Sequence, residues 1–309
     1  MKLKSNLGIS FNQDIMTSLL LIDTLIKPIL LYASDFWGCL KLPPCNPIEN
    51  LHMMMCKQIL GVQKQTTNIG VLLELGRVPL HLYANKHAIK NWERVKRGLA
   101  NSILQASYKD SINENLPWTN GVKSILEKNG MLSFYINDYT SKPPFISKRV
   151  FIRMFDIFHQ DSFANINSGS SKLRTYALFK RSTGFEKYLT EIKNVAVRTK
   201  VTKFRLSNHR LMIEVGRHQG IKNEDDRRCL FCPQKVENEF HFLFECSIYN
   251  NQRKLFIEPI INTYPGFKYL TRALQIEYVM ASMDSNLSNY ISNCSDIRAF
   301  LVTKPKRLN

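Results

Sequence analysis

Residues 79–99 read PLHLYANKHAIKNWERVKRGL. At 100° per residue, Leu82, Ala88, Ile89, Trp92, Val95 and Leu99 fall within one arc, and Lys86, Lys90, Arg94 and Arg97 gather within ~80° on the other side. One face is apolar enough to be buried and the other is basic. The only nearby acid, Glu93, points away from the middle of the basic stripe. That stripe is either an ordinary solvated face or a row that meets phosphates.

Working outward, the same helical period recurs with clear punctuation. Ile15, Leu19, Ile22, Ile26 and Ile29 are helically spaced, with a kink expected at Pro28. Leu42-Pro43-Pro44 breaks the chain. Asn46 then reads as an N-cap, Pro47 as the first helical residue and Glu49 as the N3 acid reaching back. Ile48, Leu51, Met55 and Ile59 continue on one face until Gly61, and a short helix runs from Asn68 to Gly76. Pro117, Gly121, Gly130 and Pro143-Pro144 divide residues 101–146 into short helices and loops. Residues 148–160 form a helix with Val150, Phe151, Met154 and Phe158 inward, and 164–171 (ANINSGSS) read as a linker. The expected order is a helical region over 1–100, a helical connector over 101–163, a linker over 164–171, a basic helical region over 172–228, a metal module over 229–250 and a helical tail over 251–309.

The chain has 309 residues and 43 Lys+Arg against 25 Asp+Glu, a net charge of +18. At 44% hydrophobic residues it can bury a real core, and the charge points to a polyanionic partner. The surplus is uneven: residues 51–100 carry eight basic and two acidic groups, and 151–200 carry nine and four. The densest run, 172–210, has eleven basic residues against Glu186 and Glu191. Within it Lys180, Arg181, Arg198, Lys200, Lys203, Arg205 and Arg210 are candidate phosphate contacts. Phe185, Tyr188, Leu189, Ile192 and Val195 read as a helical core stripe, while Tyr176 and Phe179 are open to a core or a base-stacking role.

No membrane span is expected, because the most apolar segment, 15–33, contains Asp23, Lys27 and Pro28. Lys2 and Lys4 resemble the start of a signal peptide, but the apolar stretch begins too late. A reducing compartment, nuclear or cytoplasmic, follows as the expectation, so the seven cysteines read as thiols or metal ligands.

Three of those cysteines cluster with a histidine. Cys229-Leu230-Phe231-Cys232, His241 and Cys246 give C-x2-C-x8-H-x4-C. The first pair fits a tight knuckle aiming two sulfurs at one point, and a histidine and a third cysteine complete a closed, structural zinc set. On one continuous α-helix His241 and Cys246 would lie about 140° apart, so the chain must unwind near Phe244-Glu245. The bland alternative is three free thiols and a surface histidine. Cys39, Cys45, Cys56 and Cys294 lack such company and read as core or inert thiols. Glu237, Glu239 and Glu245 make the module nearly neutral, suited to organising the basic helices around it. The fold class expected is mainly α, several helical subdomains with a small CCHC zinc knuckle near the C-terminus.

Catalytic signatures are missing. There is no Gly-rich phosphate loop, no H-E-x-x-H and no G-x-S-x-G. The one adjacent acidic pair, Asp225-Asp226, sits in a polar loop rather than at a two-metal centre.

The chain resembles the C-terminal part of a LINE-type non-long-terminal-repeat retrotransposon reverse transcriptase. The stretches carrying the likeness are Pro28-Ile29-Leu30-Leu31-Tyr32-Ala33-Ser34-Asp35 with Phe36-Trp37-Gly38, then Pro47-Ile48-Glu49 with Ile59-Leu60-Gly61-Val62 and Thr67-Asn68. They continue with Glu74-Leu75-Gly76-Arg77-Val78-Pro79-Leu80, Ser171 to Tyr176, Thr202 to His209, and the Cys229, Cys232, His241, Cys246 quartet. The likeness covers about residues 15–255, and the order of its short motifs is more specific than any one of them. It implies a thumb-like helical region, a helical connector and a CCHC tail that helps hold template RNA or DNA. The family's catalytic Y/F-x-D-D turn has no counterpart here, so the chain is expected to be a non-catalytic, truncated copy or fragment whose further partner is the missing upstream polymerase. The alternative is a host-adopted zinc module that binds protein.

Overall fold

A computed structural model describes residues 14–40, 46–98, 100–137, 145–168 and 172–303. Leu99, the 42–44 break, Cys45, Pro143-Pro144 and the end of the expected linker lie outside the described residues. The fold is mainly α, as expected. Among the described residues, extended pairing is limited to two isolated bridges, Leu75 with Phe185 and Arg228 with Val236. No helix is long and apolar enough to cross a membrane.

The described residues divide into two units, one within 17–55 and 76–164, the other within 14–16, 56–75 and 165–303. This regroups the expected 1–100 region, because 56–75 packs with the later half of the chain. The first unit is built around the helix Leu80–Lys96. Its apolar arc is the core: Leu82, Ala88, Ile89 and Trp92 are buried against Val122, Leu126, Val150 and Met154. Trp92 Nε1 donates to Tyr108 Oη at 3.0 Å, so the one polar atom of that ring is satisfied inside the core. Gly38 lets the chain approach this helix, since a Cβ there would lie 2.2 Å from the Ala84 carbonyl oxygen. The long helix Ile146–Ile166 completes the wall. It continues three residues into the stretch read as a linker.

Two local signals resolve differently from their simplest reading. Pro28 does not kink a regular helix; a π turn, Ile22–Ile26, precedes it and restarts the helix with Pro28 in its first turn. Beyond it Ile29 points to solvent rather than to the core. Asn46 caps the helix Pro47–Leu60 through Ile48 N at 3.0 Å. Glu49, however, does not reach back. It accepts from His81 N at 2.7 Å and so caps the helix Leu80–Lys96, whose positive end attracts a carboxylate.

In the second unit the helix Val195–Arg205 is capped by the Asn194 side chain, which accepts from Ala196 N and Val197 N. The C-terminal helix Ser285–Thr303 packs along it. The expected stripe from Phe185 to Val195 is not one helix: Tyr188–Glu191 is a single turn, and Val195 starts the next element. Tyr176 and Phe179 are buried in this core.

Candidate metal centre and cationic grooves

The metal module begins with a knuckle. Cys229 N donates to Lys235 O at 2.8 Å and Lys235 N donates to Cys232 O at 2.9 Å, which folds the first two cysteines toward one point. The return segment enters a π turn, His241–Glu245, whose closing bond runs from Cys246 N to His241 O at 2.8 Å. This i→i+5 bond is the unwinding that the five-residue spacing requires, and it brings Cys246 back over His241. Arg253 then caps the turn, donating from Nε to Leu243 O at 2.9 Å and from Nη2 to Cys246 O at 2.6 Å.

The four ligand atoms of Cys229, Cys232, His241 and Cys246 lie within 4.8 Å of one another. Cys229 and Cys232 Sγ each sit 3.9 Å from Cys246 Sγ. Two thiolates bound tetrahedrally at about 2.3 Å are about 3.8 Å apart, so the spacing suits a shared metal ion. His241 is buried, and its Nε2 has no partner among the described residues, while Nδ1 lies 3.4 Å from Glu245. An orphaned ring nitrogen opposite a carboxylate-held one is the arrangement of a metal-ligating histidine. The hydrogen bond between Cys246 and Cys229 pulls the Cys229 thiol down and pushes Cys246 up. The set can therefore hold a metal ion, and all four positions are filled by protein.

The acids of the module dock it to its neighbours. Glu239 accepts from Arg174 at 3.0 Å and lies 3.0 Å from His209 Nε2. Glu237 takes Arg298 through two 2.7 Å contacts and accepts from Met212 N at 2.6 Å. Glu245 also meets Arg272 at 3.0 Å. Sequence reasoning did not find Arg253, Arg298 or Glu245 in these roles. Glu245 had a signal, four residues after His241; the two arginines had none.

The candidate phosphate contacts separate into three groups. In the first unit, Lys90, Arg94 and Arg97 are exposed and line one open groove of about 500 Å³ with His87, Asn91 and Phe145. Lys86 turns aside, its ammonium 4.8 Å from the centre of the Phe151 ring. In the second unit, Lys200, Lys203 and Arg210 line a groove of about 270 Å³, where Lys200 is paired with Asp296 at 2.6 Å. Arg181 is on the surface, 3.1 Å from Glu277.

Three candidates are corrected. Arg205 is buried and binds the fully buried Glu74 at 2.9 Å and Glu186 at 2.7 Å, under the rings of Phe179 and Tyr188. Lys180 is buried on Glu186 and donates to Gly184 O at 3.2 Å. Arg198 is buried, with Nη1 donating to Ile192 O at 2.9 Å. Each is consumed inside the fold and is withdrawn from any phosphate. Asp225 and Asp226 lie in an exposed 3-10 turn.

No protein-family model, no curated protein and no solved structure matches this chain.

Proposed function

We propose that this chain is a non-catalytic nucleic-acid-binding part of a LINE-type reverse transcriptase, held together in its second unit by a structural zinc ion. One observation carries the binding reading: three cations of one helix, Lys90, Arg94 and Arg97, open onto a single groove. Glu93, the acid of that helix, lines the same groove 3.8 Å from Arg97, and its carboxylate also lies 3.4 Å from Ile146 N and 3.3 Å from Ser147 N. The order of the family-like motifs supports the assignment to the retroelement. Three thiols and an imidazole favour zinc over the oxygen-seeking cations. Such an ion would cross-link the knuckle to the π turn and leave no position for a reacting water.

Two measurements test it. Metal analysis of the reduced, freshly purified chain is expected to give about one zinc per chain. Oligonucleotide binding is expected to weaken with salt; if about six phosphates are met on a single strand, log affinity falls against log salt with a slope near −4. A flat salt response rejects the binding reading, and primer extension by the chain alone is expected to yield no product.

A second reading, a zinc-stabilised protein-interaction module, draws on the exposed apolar side chains Leu20, Leu25, Ile29, Tyr32 and Phe36 in the first unit. Capture of a defined protein that survives charge reversal at Lys90, Arg94 and Arg97 would favour it.

A further inference from the structure

Phe145 combines two unfavourable features. Its side chain is 71% exposed, and its backbone is left-handed, φ 49°. Bulky residues rarely adopt that conformation, and it persists where surrounding structure enforces it. The enforcement is visible. The Phe145 carbonyl accepts from Lys148 N at 3.0 Å and Arg149 N at 3.1 Å, which ties it to the start of the helix Ile146–Ile166. The next two amides, of Ile146 and Ser147, face the carboxylate of Glu93. Glu93 belongs to the helix Leu80–Lys96 and lies 3.8 Å from Arg97. The backbone that carries the ring is thus tied to the same helix that carries the cations, and Phe145 lines the same groove as Lys90, Arg94 and Arg97.

The three cations rise along about 10 Å of helix, the reach of two or three successive phosphates. The groove also contains Asp35 and Glu93, the latter 3.8 Å from Arg97, so three cations against two carboxylates leave its balance at +1. An aromatic face beside a cationic row is the combination that holds an unpaired strand: phosphates follow the charges and a base stacks on the ring. In a duplex both faces of each base are already covered by its neighbours.

Resting on the nucleic-acid reading above, we propose that this groove binds single-stranded nucleic acid, with one base stacked on Phe145 and the flanking phosphates on Lys90, Arg94 and Arg97. RNA and DNA share this chemistry, and the selection is against duplex. The ring acts by stacking and not by charge, so its contribution separates from that of the cations in a salt titration.

The test uses the full, metal-replete chain with labelled dT15, U15 and a 15-base-pair duplex, titrated at several salt concentrations. Phe145→Ala and Phe145→Leu are both expected to weaken single-strand binding by about 5- to 100-fold, with the salt slope and duplex binding unchanged. Phe145→Trp is expected to retain binding. The ring is on the surface, so all three variants should match the parent's circular dichroism and melting temperature. Single-strand binding that is unchanged in Phe145→Ala and Phe145→Leu, or equal losses on single strand and duplex, overturns this proposal alone. Absence of binding to all three probes by the folded parent chain overturns the nucleic-acid reading itself.

Discussion

The amide of Cys246 donates to the carbonyl of His241 at 2.8 Å, so the turn carrying two of the four candidate metal ligands is one residue wider than an α-turn. Without that extra residue the Cys246 sulfur would leave the cluster. Replacing His241 or Cys246 by Ala is expected to abolish stoichiometric zinc and lower the melting temperature, because structural zinc contributes directly to folding. Unchanged metal content in both variants would dismiss the site.

Glu245 should matter to the metal without touching it. Its carboxylate lies 3.4 Å from His241 Nδ1 and also meets Arg272. Glu245→Ala is expected to weaken metal affinity by about 10- to 100-fold, read as faster loss to a chelator at fixed concentration. The parent's chelation profile in that variant would show that the contact is idle.

The Arg205–Glu74 pair is expected to dominate the second unit's response to mutation. Both side chains are buried, and Tyr188 donates to the same carboxylate. Arg205→Met strands Glu74 in the interior and should cost about 3–5 kcal/mol in denaturant unfolding. Adding Glu74→Gln should recover part of that loss, since no uncompensated charge remains. Strict additivity of the two changes would argue that they are not a unit.

Acid sensitivity should localise to Glu49 in the first unit. Burial alone would raise its carboxyl, but the His52 ring 3.9 Å away and the contacts from the His81 amide and ring outweigh burial and hold it well below the usual range. A depressed carboxylate contributes stability that is complete above the unfolded value near 4.3 and fades as pH falls through it toward the folded value. Between about pH 5 and pH 2 the parent should lose more stability than Glu49→Gln. Parallel acid unfolding curves would contradict this.

For the groove, charge reversal at Lys90, Arg94 and Arg97 together is expected to shrink the single-strand salt slope by roughly 2. The same measurement on Lys180→Gln should leave the slope alone, because that ammonium is buried on Glu186.

Much of the fold was legible. The Leu82–Trp92 arc is the core, Asn46 caps its helix, and Gly61 closes it at φ 68°. The metal quartet was readable from spacing, including the need for an unwound turn. The fate of individual cations was not. Arg205 and Lys203 are two residues apart in one helix, yet one is buried and the other lines a groove. Local periodicity gives a residue's direction on its own helix, but not what stands opposite.

The sequence by itself determined a helical protein, an excess of positive charge and a set of four side chains able to hold a metal, because these depend on residue type and on spacing within one segment. Only the tertiary structure decided which charges remain in solvent. It brought Glu74 to Arg205 across 131 positions and Glu93 to the backbone at Ile146, 53 positions away. Burial makes an unpaired charge costly, so partners distant in sequence settle whether a basic residue stabilises the interior or stays available to a phosphate.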